Sequence, residues 1–155
     1  MPQNHKLLLR KARASDAHDL WEWRNDPFTR SNSLNSKKIS FSKHQQWFAK
    51  SLKNGSRKIY IASLEGVKVG MVRTDFPGDK VVEVNINMNP AYRGKGLGKR
   101  ILKMVSDSIR KKYATWIQKA IIKTSNKASE RIFSSAGFTK IHQVDRSGYS
   151  IWVRN

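Results

Sequence analysis

The chain has 155 residues, no cysteine and a formal net charge of +20. That length suits one compact domain without linker, repeat or low-complexity segment, and the missing cysteines exclude disulfides, thiolate metal sites and a cysteine nucleophile. The charge favours phosphorylated ligands or nucleic acid over polyamines, because a basic surface attracts anions over roughly a Debye length, about 8 Å in physiological salt. In chain order, residues 1–5 are expected to be flexible and Leu7 to Ala12 reads as a strand. Ser15 is placed as the N-cap of a helix carrying Leu20, Trp21 and Trp23, and Ser42 with Gln45 as a capping box for a second helix that runs to Leu52. Ile59 to Leu64 and Val67 to Asp75 read as strands joined at Glu65-Gly66. Phe76 to Asp79 is expected to turn the chain into a strand from Lys80 to Met88. A glycine-rich loop, a third helix, a strand from Ile117 to Lys123 and a helix from about Asn126 to Ala136 follow. Strands at Phe138 to Val144 and Tyr149 to Val153 close the chain. No apolar run is long enough to span a membrane and no signal-peptide core precedes Lys6, so a cytoplasmic protein is expected. His5, His18, His44 and His142 are scattered without metal-ligand spacing, so no metal is expected.

The most informative stretch is Tyr92-Arg93-Gly94-Lys95-Gly96-Leu97-Gly98-Lys99, between the alternating strand ending at Met88 and the helical-period residues Ile101, Leu102, Val105 and Ile109. The first N–H groups of a helix lack intrahelical partners, the helix dipole adds partial positive charge, and glycines let the backbone approach an anion. The loop is neither a P-loop, since no Lys-Ser or Lys-Thr follows its last glycine, nor the dinucleotide fingerprint, whose spacing differs.

Asn89 to Gly98 resembles the acetyl-CoA signature of the GNAT superfamily of N-acetyltransferases, with Arg93, Gly96 and Gly98 at its defining positions. Asn126 to Phe138 is similar to a second block of that family, with Asn126, Ser129, the aromatic Phe133 and Gly137-Phe138 in its spacing. The resemblance covers essentially the whole chain. It implies one α/β domain over residues 1–155, with a mostly antiparallel, splayed, mixed sheet of about seven strands and four helices. It also implies acetyl-CoA as cosubstrate. Its pantetheine arm would lie against Asn87, Met88 and Asn89 with the Met88 N–H on the thioester carbonyl, and its pyrophosphate on the N–H groups of Arg93, Gly94, Lys95, Gly96, Leu97, Gly98 and Lys99. Asn126, Ser129 and Phe133 would approach from the other side.

Transfer to an amine needs a proton acceptor. Glu83, in an apolar and amide-rich strand, is one candidate base, its alternative being a solvent-facing strand residue; His44 is the next, or else a helix-surface histidine. The family commonly protonates the leaving thiolate with a tyrosine at the position of Phe133, which cannot donate. Water, Ser134 or Tyr149 would replace it, or the thiolate leaves unassisted.

For the acceptor, the segments Trp21 to Pro27, His44 to Phe48 and Gly70 to Asp75 are similar to a GNAT branch that acetylates nucleotide-linked amino sugars, including the pseudaminic-acid pathway type. Trp23 and Trp47 would stack on a base or sugar, Arg24, Arg30 and Arg73 would bind pyrophosphate, and Asn25 and His44 would border the substrate. Trp21 and Phe48 read as helix core. The alternative acceptor is a protein N-terminus, as in ribosomal-protein acetyltransferases, with the basic surface docking on RNA. A nucleic-acid-binding module and an inactive member of the fold are further readings. A monomer or a homodimer fits either enzyme.

Overall fold

The computed structural model describes residues 5–144 and 148–155, and of residues 142–144 the backbone alone; the flexibility expected for residues 1–5 falls largely on residues 1–4, outside the described set. The strands are β1 (Leu7–Lys11), β2 (Arg57–Leu64), β3 (Val67–Gly78), β4 (Val81–Met88), β5 (Ile117–Lys123), β6 (Thr139–Val144) and β7 (Tyr149–Arg154). The helices are α1 (Ala17–Asn25), α2 (Pro27–Ser31), α3 (Phe41–Lys53), α4 (Leu97–Lys112) and α5 (Lys127–Ser135). One sheet runs β1-β2-β3-β4-β5-β7-β6, antiparallel except where β4 lies parallel to β5.

Alternation along the strands divides the core between two faces. Val72, Val82, Val84, Ala120 and Ile122 pack under α4 and α5, where Ile101 and Leu102 are fully buried; each such side chain contributes about 1.5–3 kcal/mol. Ile59, Ile61 and Met71 point the other way, against Leu20 and Trp23 of α1 and Phe48 of α3. A buried polar clamp fixes α4 over the C-terminal strands. Ser106 Oγ donates to Gln118 Oε1 at 2.7 Å, Gln118 Nε2 donates to the Ser106 carbonyl at 2.9 Å, and Arg154 Nη1 donates to Ser106 Oγ at 2.7 Å.

The local differences from the sequence expectations have identifiable causes. Ser15 caps nothing. The fully buried Asp16 accepts the Arg13 N–H at 2.7 Å, closing a 3-10 turn over Ala14–Asp16, and α1 begins after it. The cap of α3 is Ser40, whose Oγ accepts from the Lys43 N–H at 3.2 Å. It replaces Ser42 because Phe41 already belongs to the helix and packs on Trp21 and His18. β3 continues to Gly78, and the hairpin turns at Asp79 and Lys80, both at positive φ (55° and 56°) as a two-residue turn of mirror type requires. The short helix α2, a fifth beyond the four expected, is announced by Asp26 before Pro27. Asp26 Oδ2 accepts the Thr29 N–H at 3.0 Å, and proline takes the first helical position.

Candidate active site

β4 and β5 pair only as Val81↔Ile117, Val82↔Gln118 and Glu83↔Lys119. Beyond Glu83 the two parallel strands part while β3 stays paired to β4 as far as Met88. The Asn89 N–H donates to the Val69 carbonyl at 2.9 Å, so it points at β3. Antiparallel alternation therefore turns the Met88 N–H, one residue earlier, to the opposite, open edge of β4. The same alternation turns the N–H groups of Asn87 and Asn89 towards β3, which leaves Met88 as the exposed donor of the three.

Both parting strands lead into helix N-termini at the same end of the sheet, α4 after β4 and α5 after β5. The two termini differ. At α5, Asn126 Oδ1 accepts the Ser129 N–H at 3.1 Å and Asn126 Nδ2 donates to Ser129 Oγ at 3.0 Å, so these two side chains cap the helix and each other. At α4 the capping position is Gly96, which has no side chain to offer. The N–H groups of Leu97, Gly98 and Lys99 are open to an anion.

Each loop glycine has its own reason. Gly94 and Gly96 adopt φ of 72° and 74° with open space around them, so they serve backbone conformation and access. At Gly98 a Cβ would lie 2.9 Å from Ile132 Cδ1, so this glycine lets α4 approach α5 closely. Gly70 on β3 plays a similar part, since a Cβ there would meet Met88 Sδ at 2.9 Å. Lys95 and Lys99 are exposed, and Lys95 Nζ stands 5.1 Å from the Tyr92 ring. Arg93 turns away from the loop. Its Nη2 pairs with Asp26 Oδ2 at 2.8 Å and bonds Thr29 Oγ1, while the guanidinium covers Phe28 at 4.9 Å. The Arg93 N–H is turned to the Pro90 carbonyl at 3.5 Å, so this residue, expected to offer its N–H to the pyrophosphate, instead ties the loop to α2 through its side chain. Burial would raise the Asp26 pKa, but the Thr29 N–H and Arg93 outweigh it and hold the carboxyl below its ordinary value.

The family model for the acetyltransferase (GNAT) domain matches residues 6–139. The chain belongs to the GNAT acetyltransferase family. An uncharacterized N-acetyltransferase of Bacillus subtilis strain 168, YfmK, is 32% identical over 113 residues, 71% of this chain and 74% of that protein. Among solved structures, aminoglycoside acetyltransferase AAC(6')-Ib with coenzyme A superposes with a TM-score of 0.82 at 20% identity, covering 97% of this chain and 95% of that one. Spermidine N-acetyltransferase of Vibrio cholerae gives 0.82 at 13% identity, covering 95% and 92%. At such identities the likeness establishes the fold. A GNAT acetyltransferase uses acetyl-CoA, and the open α4 terminus beside the free edge of β4 has the donors that a pyrophosphate and a thioester carbonyl require.

The GNAT fold also shows where the expected catalytic and acceptor residues fall. Glu83 is the last residue of β4 paired to β5, 3.8 Å from Lys119 Nζ, at the closed end of the wedge. Five residues of strand, about 17 Å, separate it from Met88, so it cannot take a proton directly from an amine at the Met88 N–H. His44 is 4% exposed and packs against Trp47 and Phe48, which corrects the helix-surface alternative. Burial lowers its pKa below the ordinary value, and its Nε2 has no hydrogen-bond partner. Phe133, given to the coenzyme by the family resemblance, is 3% exposed and meets Phe138 edge-on at 5.0 Å, a core residue. Ser134 is exposed, and Tyr149 stands opposite Lys123 at the open end of β5.

On the acceptor side Trp23 is core, 5% exposed, instead of a stacking platform. Asn25 and Arg30 hold the segment 32–40, whose carbonyls need donors because it lacks regular structure. Asn25 Nδ2 and Oδ1 bond the Ile39 carbonyl and N–H at 2.7 and 2.9 Å. Trp21 Nε1 reaches the Ile39 carbonyl at 2.7 Å, and Arg30 reaches those of Asn25 and Ser36 at 3.1 and 3.3 Å. Arg24 Nη2 donates to the Asn35 carbonyl at 2.5 Å, but its buried Nη1 has no partner. Trp47 keeps an exposed ring, with the guanidinium carbons of Arg57 and Arg73 5.6 and 6.0 Å from its centroid. Asp75 joins the two arginines, accepting from Arg57 Nε at 2.6 Å and Arg73 Nε at 3.0 Å. Sequence reasoning missed Arg57 and Asp75, since their meeting depends on β2–β3 register. It also missed the acidic side of α1. Asp19, Glu22 and Asp26, with Trp21 and Asn89–Ala91, line an open groove of about 590 Å³. His18, Asp19 and Glu22 bring potential metal-ligand atoms within 4.8 Å of one another, which sequence spacing had not brought out; Asp19 is already bonded to Lys68 at 2.8 Å. Among the described residues no helix is long and apolar enough to cross a membrane.

Proposed function

We propose that the chain transfers acetyl directly from the thioester to a primary amine on a small acceptor, in the cytoplasm. The observation that carries this reading is the parting of β4 from β5 with the Met88 N–H on the open edge and an uncapped helix terminus next to it. Acetyl-CoA supplies an activated acyl group. The Met88 N–H donates to the carbonyl oxygen as negative charge develops there, an interaction that strengthens along the reaction. The N–H groups of Leu97, Gly98 and Lys99 anchor the phosphates. With Glu83 remote from Met88, the amine loses its proton to water on the α1/α3 face of the sheet, where Asn85 and Asn87 of β4 lie with Arg73 of β3; its nitrogen bonds to the acetyl carbon, the C–S bond breaks, and coenzyme A leaves as a thiolate that water protonates.

For the acceptor we favour an anionic amine, of which a nucleotide-linked amino sugar is the finer form. The support is the exposed ring of Trp47 beside Arg73, opposite Asn85 on β4, together with the unpartnered Arg24 Nη1. A second reading has its own observation. Four of the 11 acidic residues of this basic chain, Asp16, Asp19, Glu22 and Asp26, fall on or beside α1, and three line the groove next to Asn89. That groove suits a polycationic amine, the class that the aminoglycoside and spermidine enzymes of the same fold act on. Thiol release from acetyl-CoA, followed across UDP-linked amino sugars, free amino sugars, aminoglycosides, polyamines and N-terminal peptides, separates them. Turnover of the nucleotide sugars, lost in Arg73→Ala, is the expected result. Turnover confined to polycations and lost in Glu22→Gln would replace it with the second reading, and turnover confined to peptides would return the N-terminal acetyltransferase.

A further inference from the structure

On the α4 face of the sheet, β1, β2 and β3 run beside the C-terminal half of α4. A cavity of about 390 Å³ opens there against the C-terminal half of α4, within the size range of small-molecule sites. Leu9, Val105 and Ile109 give it apolar walls, Tyr60, Phe76 and Tyr113 bring aromatic rings to it, and Thr74, 2% exposed, lies at its floor. The cavity is separate from the coenzyme loop. Val105, the lining residue of α4 nearest to it, lies eight residues along the helix from Leu97, about 12 Å by helical rise, and Lys112 on the rim about 22 Å.

The charge around the cavity is one-sided. Arg10, Lys11, Lys58 and Lys112 line it, and no Asp or Glu does. Arg10 is neutralised from behind by Asp16, at 2.8 Å through both Nη1 and Nη2. Among the described residues Lys11, Lys58 and Lys112 have no carboxylate within 4.0 Å. Two of the three ammonium groups sit over the rings, Lys58 Nζ 5.2 Å from the centroid of Phe76 and Lys112 Nζ 5.4 Å from that of Tyr113. Burial raises the Tyr60 pKa, and nearby Lys112 only partly offsets this, so the phenol stays a neutral donor. Aromatic walls complement a flat ring, and unpaired lysines at the mouth complement an anion.

We propose that this cavity is a second binding site, for a planar aromatic ring carrying a phosphate or carboxylate. The ring lies against Tyr60 and Tyr113 and the anion between Lys58 and Lys112. The site is independent of the acceptor and does not depend on which amine is acetylated.

The test uses the full chain saturated with coenzyme A, so that the wedge is closed to other adenine nucleotides. Adenosine 5′-monophosphate and salicylate are titrated by calorimetry as the two sources of an aromatic anion. Adenosine is the ring-only control and inorganic phosphate the charge-only control. Saturable binding of either aromatic anion, at least about tenfold tighter than both controls, is expected. The double variant Lys58→Glu/Lys112→Glu should weaken it by about tenfold or more while coenzyme A affinity stays within about twofold. Lys112 is exposed and Lys58 half-exposed, so the charge reversal spares the core. Tyr60→Leu should weaken binding in the same direction. No saturable binding to the coenzyme-loaded protein, or binding that the double variant leaves unchanged, would overturn the site.

Discussion

The coenzyme wedge and the α1/α3 side of the sheet are built on opposite principles. In the wedge the groups that face a ligand are main-chain: the Met88 N–H on an unpaired strand edge and the first N–H groups of α4 behind a glycine cap. The side chains there, Arg93, Asn126 and Ser129, brace the frame and each other. On the α1/α3 side the candidate ligand groups are side chains, and most are already paired: Asn25 and Arg30 with segment 32–40, Arg57 and Arg73 with Asp75. A site carried by backbone tolerates changes of side chain as long as the conformation survives. A site carried by side chains is remade by a few substitutions. The difference fits a fold that keeps one cosubstrate and changes its acceptor.

The comparison can be broken first where side chains hold the frame. Asp16 is fully buried and pairs with Arg10 and Lys68, both at 2.8 Å. Burial alone would raise its pKa, but Arg10, Lys68 and the Arg13 N–H outweigh this and hold the carboxyl well below the usual range. Asp16→Ala should therefore cost about 3 kcal/mol in urea unfolding near neutral pH, the lower end for breaking a buried pair because the cations left behind are partly solvated. A depressed carboxyl contributes stability that is complete above its unfolded pKa, about 3.9, and lost as pH falls below it. The acid limb of the stability curve should flatten in the variant, and a curve unchanged from that of the native protein would remove Asp16 from the account.

Gly96→Asp sharpens the backbone side. It adds a Cβ at a positive φ and a negative charge at the helix terminus, in space open enough for the protein to fold. Coenzyme A affinity measured by calorimetry should fall about 100-fold, roughly 2.7 kcal/mol, beside a stability loss of about 1–2 kcal/mol from the left-handed backbone. Retained affinity would defeat the loop assignment. Gly98→Ala tests the contrast within the same loop. Its Cβ meets only the movable Cδ1 end of Ile132, and the better helix propensity of alanine, about 1 kcal/mol, offsets that crowding, so stability read by thermal unfolding should change by less than about 1 kcal/mol.

A smaller effect is expected at His44. Its folded pKa is depressed by burial, so the unfolded chain binds the proton more readily, and the contribution is present above the unfolded value of about 6.5 and lost as pH falls below it. His44→Leu should remove part of the loss of stability seen as pH falls below about 6.5; an identical slope in the two proteins would remove His44 from the account. The smallest effect is at Glu83, where Gln should leave the pH–rate profile within about threefold, against the 10²–10⁴ expected on losing a general base. A larger shift would restore Glu83 as the base through a chain of waters.

The sequence by itself determined the order of elements apart from the short α2 and the 3-10 turn before α1, the glycine loop at a strand-to-helix junction and the family. These are local properties: strand alternation, helical period, positive-φ glycines at Gly94 and Gly96, and an uncapped terminus are written in consecutive residues. Glu65-Gly66 was legible as a hairpin for the same reason. Ser15 and Ser42 were misread as caps because serine is a good cap at any helix start. Which one serves was decided by distant partners, Arg10 and Lys68 around Asp16 and the packing of Phe41 on Trp21. Only the tertiary structure separated Gly98, which makes room for Ile132, from Gly96, which opens the loop. Only it removed Phe133 and Trp23 to the core and placed Glu83 at the closed end of the wedge. Those outcomes depend on register across strands and on contacts between residues far apart in the chain, and no window of consecutive residues contains them.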